Sequence, residues 1–240
     1  MSDGVLRWLG HSTVVVDFDG VRIVTDPVLR RRVLHLRRAA EVASPDHVDA
    51  VLISHLHYDH LDLPSLARIG VGTQIVVPRG GARTLRGFEH VLEVEPGLRF
   101  DVGGLPVRVV EAVHDGRRQP LGTQVPAVGY VLDGPRSIYF AGDTDLFDGM
   151  RELAPVDVAL LPIWGWGPTV GEGHLDPQRA AEALTLLRPN CAIPIHWGTY
   201  RVIGARDLGR EPADAFALAA LQAAPDVDVR VLPVGGTLEL

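Results

Sequence analysis

Short runs of apolar, mostly β-branched residues recur along the whole chain, and each run is bounded by glycine, proline or aspartate. Runs of this length and composition are typical of strands that are buried on one or both faces. The predicted strands are residues 13–18, 21–25, 50–54, 74–77, 107–113, 129–132, 137–141, 156–161, 192–195 and 229–232.

Two stretches have a helical pattern instead. In residues 176–187, Asp176 suits the N-cap and Pro177 suits the first helical position, and residues 212–224 form a second, alanine-rich stretch. Strands followed by helices along the whole length predict an α/β protein built in layers. Because no low-complexity linker divides the chain, we expect a single domain spanning residues 1–240.

The charge balance excludes several classes of function. The chain has 23 basic and 30 acidic residues and a net charge of -7, so most of its surface would repel a phosphate backbone and we expect no nucleic-acid partner. Every basic residue is arginine. The absence of lysine excludes a Walker-A loop, a Schiff-base lysine and a Ser-Lys dyad.

Cysteine usage and hydropathy narrow the classes further. Cys191 is the only cysteine, which excludes disulfide frameworks and cysteine-rich zinc modules. The sequence shows neither a signal-peptide pattern nor an apolar run of about 18 residues, so we expect no membrane span and a cytoplasmic location.

A cluster of metal-ligand residues follows the apolar run 50–53. His55, His57, Asp59 and His60 place three imidazoles and one carboxylate within six positions, and these are typical ligands of divalent metals. His55 and His57 alternate as an extended chain allows, which directs both toward one metal, whereas Asp59 and His60 lie past a turn and can reach another.

Three further residues of ligand type stand at the ends of other predicted strands. His114 follows residues 107–113, Asp143 follows the strand ending at residue 141, and His196 follows residues 192–195. Functional sites of layered α/β proteins gather outside the carboxyl ends of strands, so we expect these side chains to meet the histidine cluster.

These residues resemble the metallo-β-lactamase superfamily, whose HxHxDH motif matches residues 55–60 throughout. The resemblance covers nearly the whole chain. Its further matches are Thr25-Asp26-Pro27, His114, Gly142-Asp143-Thr144 and Ile195-His196-Trp197. The segments WLGHS at 8–12 and GHLDP at 173–177 are similar, more narrowly, to ascorbate-6-phosphate lactonases and N-acylphosphatidylethanolamine phospholipase D enzymes.

The resemblance implies an αββα sandwich with two divalent metal ions at one edge. Zinc is the expected metal, with manganese and iron as alternatives. The implied ligands are His55, His57 and His114 for the first ion, Asp59, His60 and His196 for the second, and Asp143 as a bridge between them. The chain lacks the cysteine ligand of true β-lactamases, which argues against β-lactam hydrolysis.

Three more residues are candidates for supporting or catalytic roles. Asp26 would orient a metal ligand or its loop, or would simply form the turn before Pro27. His11 would support the metal loops, or would pack at a strand end. By the resemblance His174 lies near the substrate, as a general acid or an oxyanion contact, with an exposed loop histidine as the alternative.

The remaining candidates are substrate contacts. Arg31, in an arginine cluster at 30–38, and Arg117 could attract an anionic substrate, or could be solvated surface residues. Trp164 and Trp166, separated by a glycine, are expected as pocket walls, with core anchors as the alternative.

The leading hypothesis is a dinuclear hydrolase in which a metal-bound hydroxide cleaves an ester-type bond, a phosphodiester or a lactone, in a small anionic molecule. Asp59, as a ligand at the reaction centre, and His174 are the catalytic candidates. A non-haem iron oxidoreductase on the same fold and a non-catalytic metal-binding protein are the alternatives. The complete ligand set favours the hydrolase.

Overall fold

The computed structural model describes residues 4–118, 122, 124–165, 169–204 and 208–240. In chain order its strands and helices are β1 Val5–Gly10, β2 Thr13–Phe18, β3 Val21–Thr25, β4 Arg32–Val33, β5 Leu36–Arg38, β6 Ala50–Leu52, α1 Leu63–Ile69, β7 Gln74–Pro78, β8 Val91–Val94, β9 Arg99–Val102, β10 Leu105–Asp115, β11 Pro126–Asp133, β12 Ser137–Phe140, β13 Val158–Pro162, α2 Pro177–Leu187, β14 Cys191–Ile195, β15 Tyr200–Val202, α3 Glu211–Ala223, β16 Asp228–Val229 and β17 Thr237–Glu239.

The strands form two large sheets and one small one. The first large sheet has the order β17-β1-β2-β3-β6-β7-β8, and the second has the order β16-β14-β13-β12-β11-β10-β9. Pairing is antiparallel from β17 to β3 and parallel from β3 to β8, and it is likewise parallel from β12 through β16. The small antiparallel sheet, β15-β5-β4, lies outside both.

Successive side chains of a strand point to opposite faces of its sheet, and this alternation separates the layers of the sandwich. On β2, Val14 and Val16 belong to the core shared by the two large sheets, whereas Val15 belongs to a separate cluster with Leu66 of α1. Phe216 of α3 packs into the core on the side of the second sheet, as α2 also does. One helix therefore covers the first sheet and two cover the second, which confirms the predicted αββα sandwich.

The sequence-based elements match the structure where the apolar pattern is strong. Strands β2 and β3 have the predicted bounds, and α2 and α3 differ from the prediction by one residue at each displaced end. The prediction for 229–232 was wrong for its last three residues, because only Val229 pairs with a neighbouring strand. In the described part of the chain, no helix is both long and apolar enough to cross a bilayer.

Two aspartates cap helices in different surroundings, and they give a stability prediction. Asp176 accepts one capping hydrogen bond, from the backbone N–H of Arg179 at 2.9 Å. The buried Asp62 accepts from the backbone and hydroxyl of Ser65 and also from the Arg30 guanidinium. Asp176→Ala should lower the free energy of unfolding by about 1 kcal/mol, and Asp62→Ala by about 2–3 kcal/mol because more donors lose a partner.

Urea unfolding of both variants in the presence of a chelator measures the difference. Equal losses for the two variants would show that the bonds of Asp62 to Arg30 and to the Ser65 hydroxyl add nothing to the helix cap.

Candidate metal centre

The predicted ligands converge at one edge of the sandwich, although they come from both large sheets. Asp26 follows β3 and the histidine cluster follows β6 in the first sheet. In the second sheet His114 lies near the end of β10, Asp143 follows β12, and His196 follows β14. Their side chains form overlapping groups in which all ligand atoms lie within 4.8 Å of one another.

The first group consists of His55, His57 and His114. His57 Nδ1 lies 2.9 Å from His55 Nε2 and 3.2 Å from His114 Nε2. Burial lowers the pKa of His57 to about 4 and lowers the pKa of His55 well below its usual value. At neutral pH unprotonated ring nitrogens therefore face one another, and a cation between them would satisfy all three lone pairs.

The second group contains Asp59, His60 and His196. His60 Nε2 lies 3.1 Å from His196 Nε2, and Asp59 Oδ2 lies 3.9 Å from both nitrogens. Burial lowers the pKa of His196 to about 3. Burial would also lower the pKa of His60, but the carboxylates of Asp143 and Asp59 raise it well above its usual value. The two carboxylates therefore favour positive charge at this group, where a second cation would be held.

Asp143 lies between the two groups. Its Oδ2 is 3.2 Å from His60 Nε2 and 3.9 Å from His55 Nε2, and its Oδ1 is 3.3 Å from His196 Nε2. Among the described residues, the buried Oδ1 has no hydrogen-bond partner. A buried carboxylate oxygen without a donor is costly, and a metal ion would compensate it, so the donor set fits two metals that share this carboxylate.

Gly142 allows Asp143 to reach this position. Its φ of +62° is in the left-handed region, and an added Cβ would lie 2.4 Å from the Cβ of Ser54. A larger residue could neither adopt this backbone without strain nor let the loop after β12 approach the loop after β6.

Asp26 connects histidines of both groups through a short hydrogen-bond network. His60 Nδ1 donates to Asp26 Oδ2 at 2.7 Å, and the backbone N–H of Ser54 donates to Oδ1 at 2.7 Å. The Ser54 hydroxyl donates to Oδ2 and accepts from His55 Nδ1 at 2.9 Å. Both histidines are thereby fixed as the tautomer whose Nε2 is free to bind a metal.

Burial raises the pKa of Asp26, and its hydrogen bonds from His60 and Ser54 act in the opposite direction. The carboxyl group is fully enclosed, so those donors replace its hydration. The structure therefore places Asp26 where a residue that orients the ligands must lie, and this role remains a prediction.

His11 lies beside the second group. Its Nε2 is 3.0 Å from Asp59 Oδ2, and its ring centroid is 3.8 Å from that of His196. Its carbonyl oxygen also accepts from the backbone N–H of His196 at 3.0 Å. These contacts fit the expectation that His11 supports the metal loops, and they also bring its Nε2 within ligand distance of the second group.

A cavity of about 340 Å³ opens onto the metal-binding groups. His174 lines it, with Nε2 3.5 Å from Asp143 Oδ2 and with Nδ1 donating to the carbonyl oxygen of Glu172 at 3.1 Å. Burial would lower the pKa of His174, but its hydrogen bond to Asp143 and the charge of that carboxylate raise it. His174 therefore lies next to the metal-binding groups, and its role toward a substrate remains a prediction.

The predicted substrate contacts need correction. Arg31 pairs with Glu41 at 3.2 Å, Arg117 pairs with Asp115, and neither belongs to the described lining of the cavity. Trp164 packs against the main core, and its carbonyl oxygen accepts from His196 Nδ1 at 2.7 Å. Trp164 therefore contacts the site through its backbone and is not part of the described cavity lining. Trp166 lies outside the described residues.

Sequence reasoning missed two contributors to the site. Ser54 gave no signal beyond its position just before the histidine cluster. The hairpin of β4 and β5 lines the cavity with Val33, Leu34 and Leu36. Its apolar stretch at 33–36 is short, has no regular alternation and lies between arginines, so no strand signal could be read there.

Asp26→Asn provides a test of the network. The amide NH₂ would face the donors His60 Nδ1–H and Ser54 Oγ–H, or their proton positions would have to change. We expect metal affinity to fall by about 10–100-fold, as for other groups that orient metal ligands. Competition with a chelator of known affinity measures the change.

The matched control is Asp133→Asn, which removes a carboxylate charge from an ion pair with Arg108, away from the site. It should leave metal affinity unchanged. An Asp26→Asn protein with wild-type affinity would remove Asp26 from the account of the centre.

Comparisons with known proteins agree with this geometry. Residues 21–197 match the model of a family described as the beta-lactamase superfamily domain. A UPF0173 metal-dependent hydrolase of Methanopyrus kandleri is 35% identical over 98% of this chain and 99% of its own length. Igni18, a metallo hydrolase of the archaeon Ignicoccus hospitalis, has a solved structure with a TM-score of 0.72 and 28% identity, covering 98% of this chain and 97% of its own.

A more distant relative agrees with the phospholipase D part of the narrower resemblance. The N-acyl-phosphatidylethanolamine-hydrolyzing phospholipase D 1 of Caenorhabditis elegans is 31% identical over 86% of this chain and 67% of its own length. The chain therefore belongs to the metallo-β-lactamase superfamily, in the family described as the beta-lactamase superfamily domain, and groups there with metal-dependent hydrolases.

Proposed function

We propose that this protein is a dinuclear hydrolase that cleaves an ester-type bond, a phosphodiester or a lactone, in a small molecule. The observation that carries the proposal is the buried carboxylate of Asp143, which lies between two groups of imidazoles and has an oxygen without a described donor. His55, His57 and His114 would hold one metal, and Asp59, His60 and His196 would hold the other.

Zinc is the metal we propose, because the donors are mainly imidazole nitrogens. When bound, the two ions would supply hydroxide at neutral pH and polarise the carbonyl or phosphoryl oxygen of the substrate. Both large sheets contribute ligands, which supports the proposal that residues 1–240 act as one domain.

The lining of the cavity suggests how a substrate is placed. Its metal side carries Asp59, Asp143 and His174, and the hairpin side carries Leu34 and Leu36. The described lining contains no arginine. A negative oxygen of the substrate would therefore be met by the metal centre, while an uncharged part lies along the hairpin.

His174 is the residue we propose as general acid. Its ring lines the cavity beside Asp143, and its Nδ1 is held by the carbonyl oxygen of Glu172, so Nε2 remains directed toward the site. From this position Nε2 can give a proton to the leaving oxygen.

The proposed function is tested by metal analysis and a substrate screen. Purified protein should bind about two equivalents of zinc or manganese, because the ligands exceed what one tetrahedral ion uses. The loaded protein should hydrolyse chromogenic phosphodiesters, lactones or carboxylic esters. Asp143→Ala should reduce metal content to about one equivalent or less and kcat/KM by at least about a hundredfold.

Asp145→Ala is the matched control. It removes a carboxylate two positions further along that pairs with Arg179 and belongs to none of the metal-binding groups. It should retain both ions and turnover. A single equivalent that persists in excess metal, or iron with oxygen uptake in place of hydrolysis, would contradict the proposal.

His174→Ala separates proton donation from substrate binding. A general acid matters most for a basic leaving group, so the variant should hydrolyse alkyl esters about a hundredfold more slowly while losing little activity on nitrophenyl esters. Paired kcat and KM measurements on the two substrate types, with His90→Ala as the control, give the answer. Equal losses on both types would indicate substrate positioning instead.

A further inference from the structure

The small sheet carries a row of arginines on one exposed face. Arg37, on the central strand β5, lies directly opposite Arg32 of β4 on one side and Arg201 of β15 on the other. All three residues are exposed. Like charges directly opposite one another destabilise a sheet, so the pair of Arg32 and Arg37 lowers stability unless negative charge lies against it.

The neighbouring arginines have polar partners, whereas Arg32 and Arg37 have no ion-pair partner among the described residues. Arg30 pairs with Asp62, Arg31 pairs with Glu41, and the buried Arg38 donates to backbone carbonyl oxygens. Within the described residues, Arg32 and Arg37 form no ion pair. The sequence also has no acidic residue between positions 27 and 40, on a chain whose net charge is -7.

Two large apolar side chains lie at the tip of the same sheet. Leu34, in the turn between β4 and β5, is 66% exposed, and Ile203, just after β15, is 52% exposed. The backbone N–H of Ile203 approaches the carbonyl oxygen of His35 at 3.4 Å, which brings the ends of the strands together. Val33 and Leu36 pair with each other between the turn and the arginine row, and both are buried. One inward-facing pair therefore separates the apolar tip, formed by Leu34 and Ile203, from the arginines.

We propose that this sheet docks the protein on an anionic lipid surface. Arg32 and Arg37 would contact headgroup phosphates, and Leu34 with Ile203 would enter the boundary between headgroups and acyl chains. A soluble polyanion would use the arginines but would leave the apolar tip in water. The combination of both features therefore favours a lipid surface.

Docking in this way would bring the cavity to the lipid. Leu34 and His35 also line the cavity that opens onto the metal-binding groups. A molecule leaving the lipid surface along the hairpin would thus reach the proposed metals without crossing the acidic remainder of the protein surface. The docking itself needs no catalytic turnover, so it can be measured whether or not the proposed function holds.

The test is flotation with vesicles of phosphatidylcholine, alone or with about 30% phosphatidylglycerol, at low and high salt. Wild-type protein should bind the anionic vesicles and should be released by salt. The double variant Arg32→Gln/Arg37→Gln should bind about 10–30-fold more weakly, since each arginine contributes about fivefold near such a surface. Leu34→Ser should also weaken binding.

The control is Arg136→Gln/Arg188→Gln, which removes the same charge near the amino ends of β12 and β14, at the edge opposite the site. It should bind as wild type does, and no variant should melt more than a few degrees below the wild type, so that weaker binding cannot be ascribed to unfolding; Arg32→Gln/Arg37→Gln should melt at or above the wild-type temperature because it removes like charges that face each other. Failure of the wild type to bind anionic vesicles, or undiminished binding by Arg32→Gln/Arg37→Gln, would overturn the proposal. A third result would assign the surface to a soluble polyanion instead. In that result Arg32→Gln/Arg37→Gln weakens vesicle binding, Leu34→Ser has no effect, and the wild type binds heparin as tightly as it binds vesicles.

Discussion

The residues of the centre are arranged around the hydrogen bonds that the buried Asp26 carboxylate accepts. A fully buried carboxylate is costly, and here it is stabilised by donors from Ser54 and His60. Hydrogen bonds also hold the backbone of Asp26 itself. The N–H of Asp26 donates to Leu52, and its carbonyl oxygen accepts from the Thr13 hydroxyl. Through its backbone Asp26 thus joins three neighbouring strands of the first sheet, and through its carboxylate and Ser54 it is connected to histidines of both metal-binding groups.

The centre also uses unusual backbone. His11, Asp26 and His196 have φ values of 54°, 33° and 63°, in a region that residues other than glycine rarely adopt. Each lies just after a strand and turns its side chain toward the common edge. Hydrogen bonds hold these conformations, for example from the backbone N–H of His196 to the carbonyl oxygen of His11. The stable sandwich therefore supports local strain where the ligands must converge.

The sequence predicted the fold and the ligand positions because both depend on local patterns. Apolar runs mark the strands, and ligands follow the strand ends, so His114, Asp143 and His196 could be assigned to the edge where His55 lies. The partners of exposed side chains could not be predicted. The sequence did not show that Arg31 would form an ion pair with Glu41. It also did not show that Trp164 would contact His196 through its carbonyl oxygen rather than through its side chain. Such contacts are determined by loop geometry, which leaves no periodic signal.

The absence of arginine from the described cavity lining follows from the charges already present. The carboxylates of Asp59 and Asp143 lie at the metal-binding groups, where the neighbouring histidines hold the pKa of both well below its usual value against the effect of burial. An arginine placed among them would add a further charge in a region of low dielectric, where it would compete with the metals for the same carboxylates. The exposed Arg32 and Arg37 lie instead on the small sheet, where water screens them and where they can act on a surface rather than on the reacting bond.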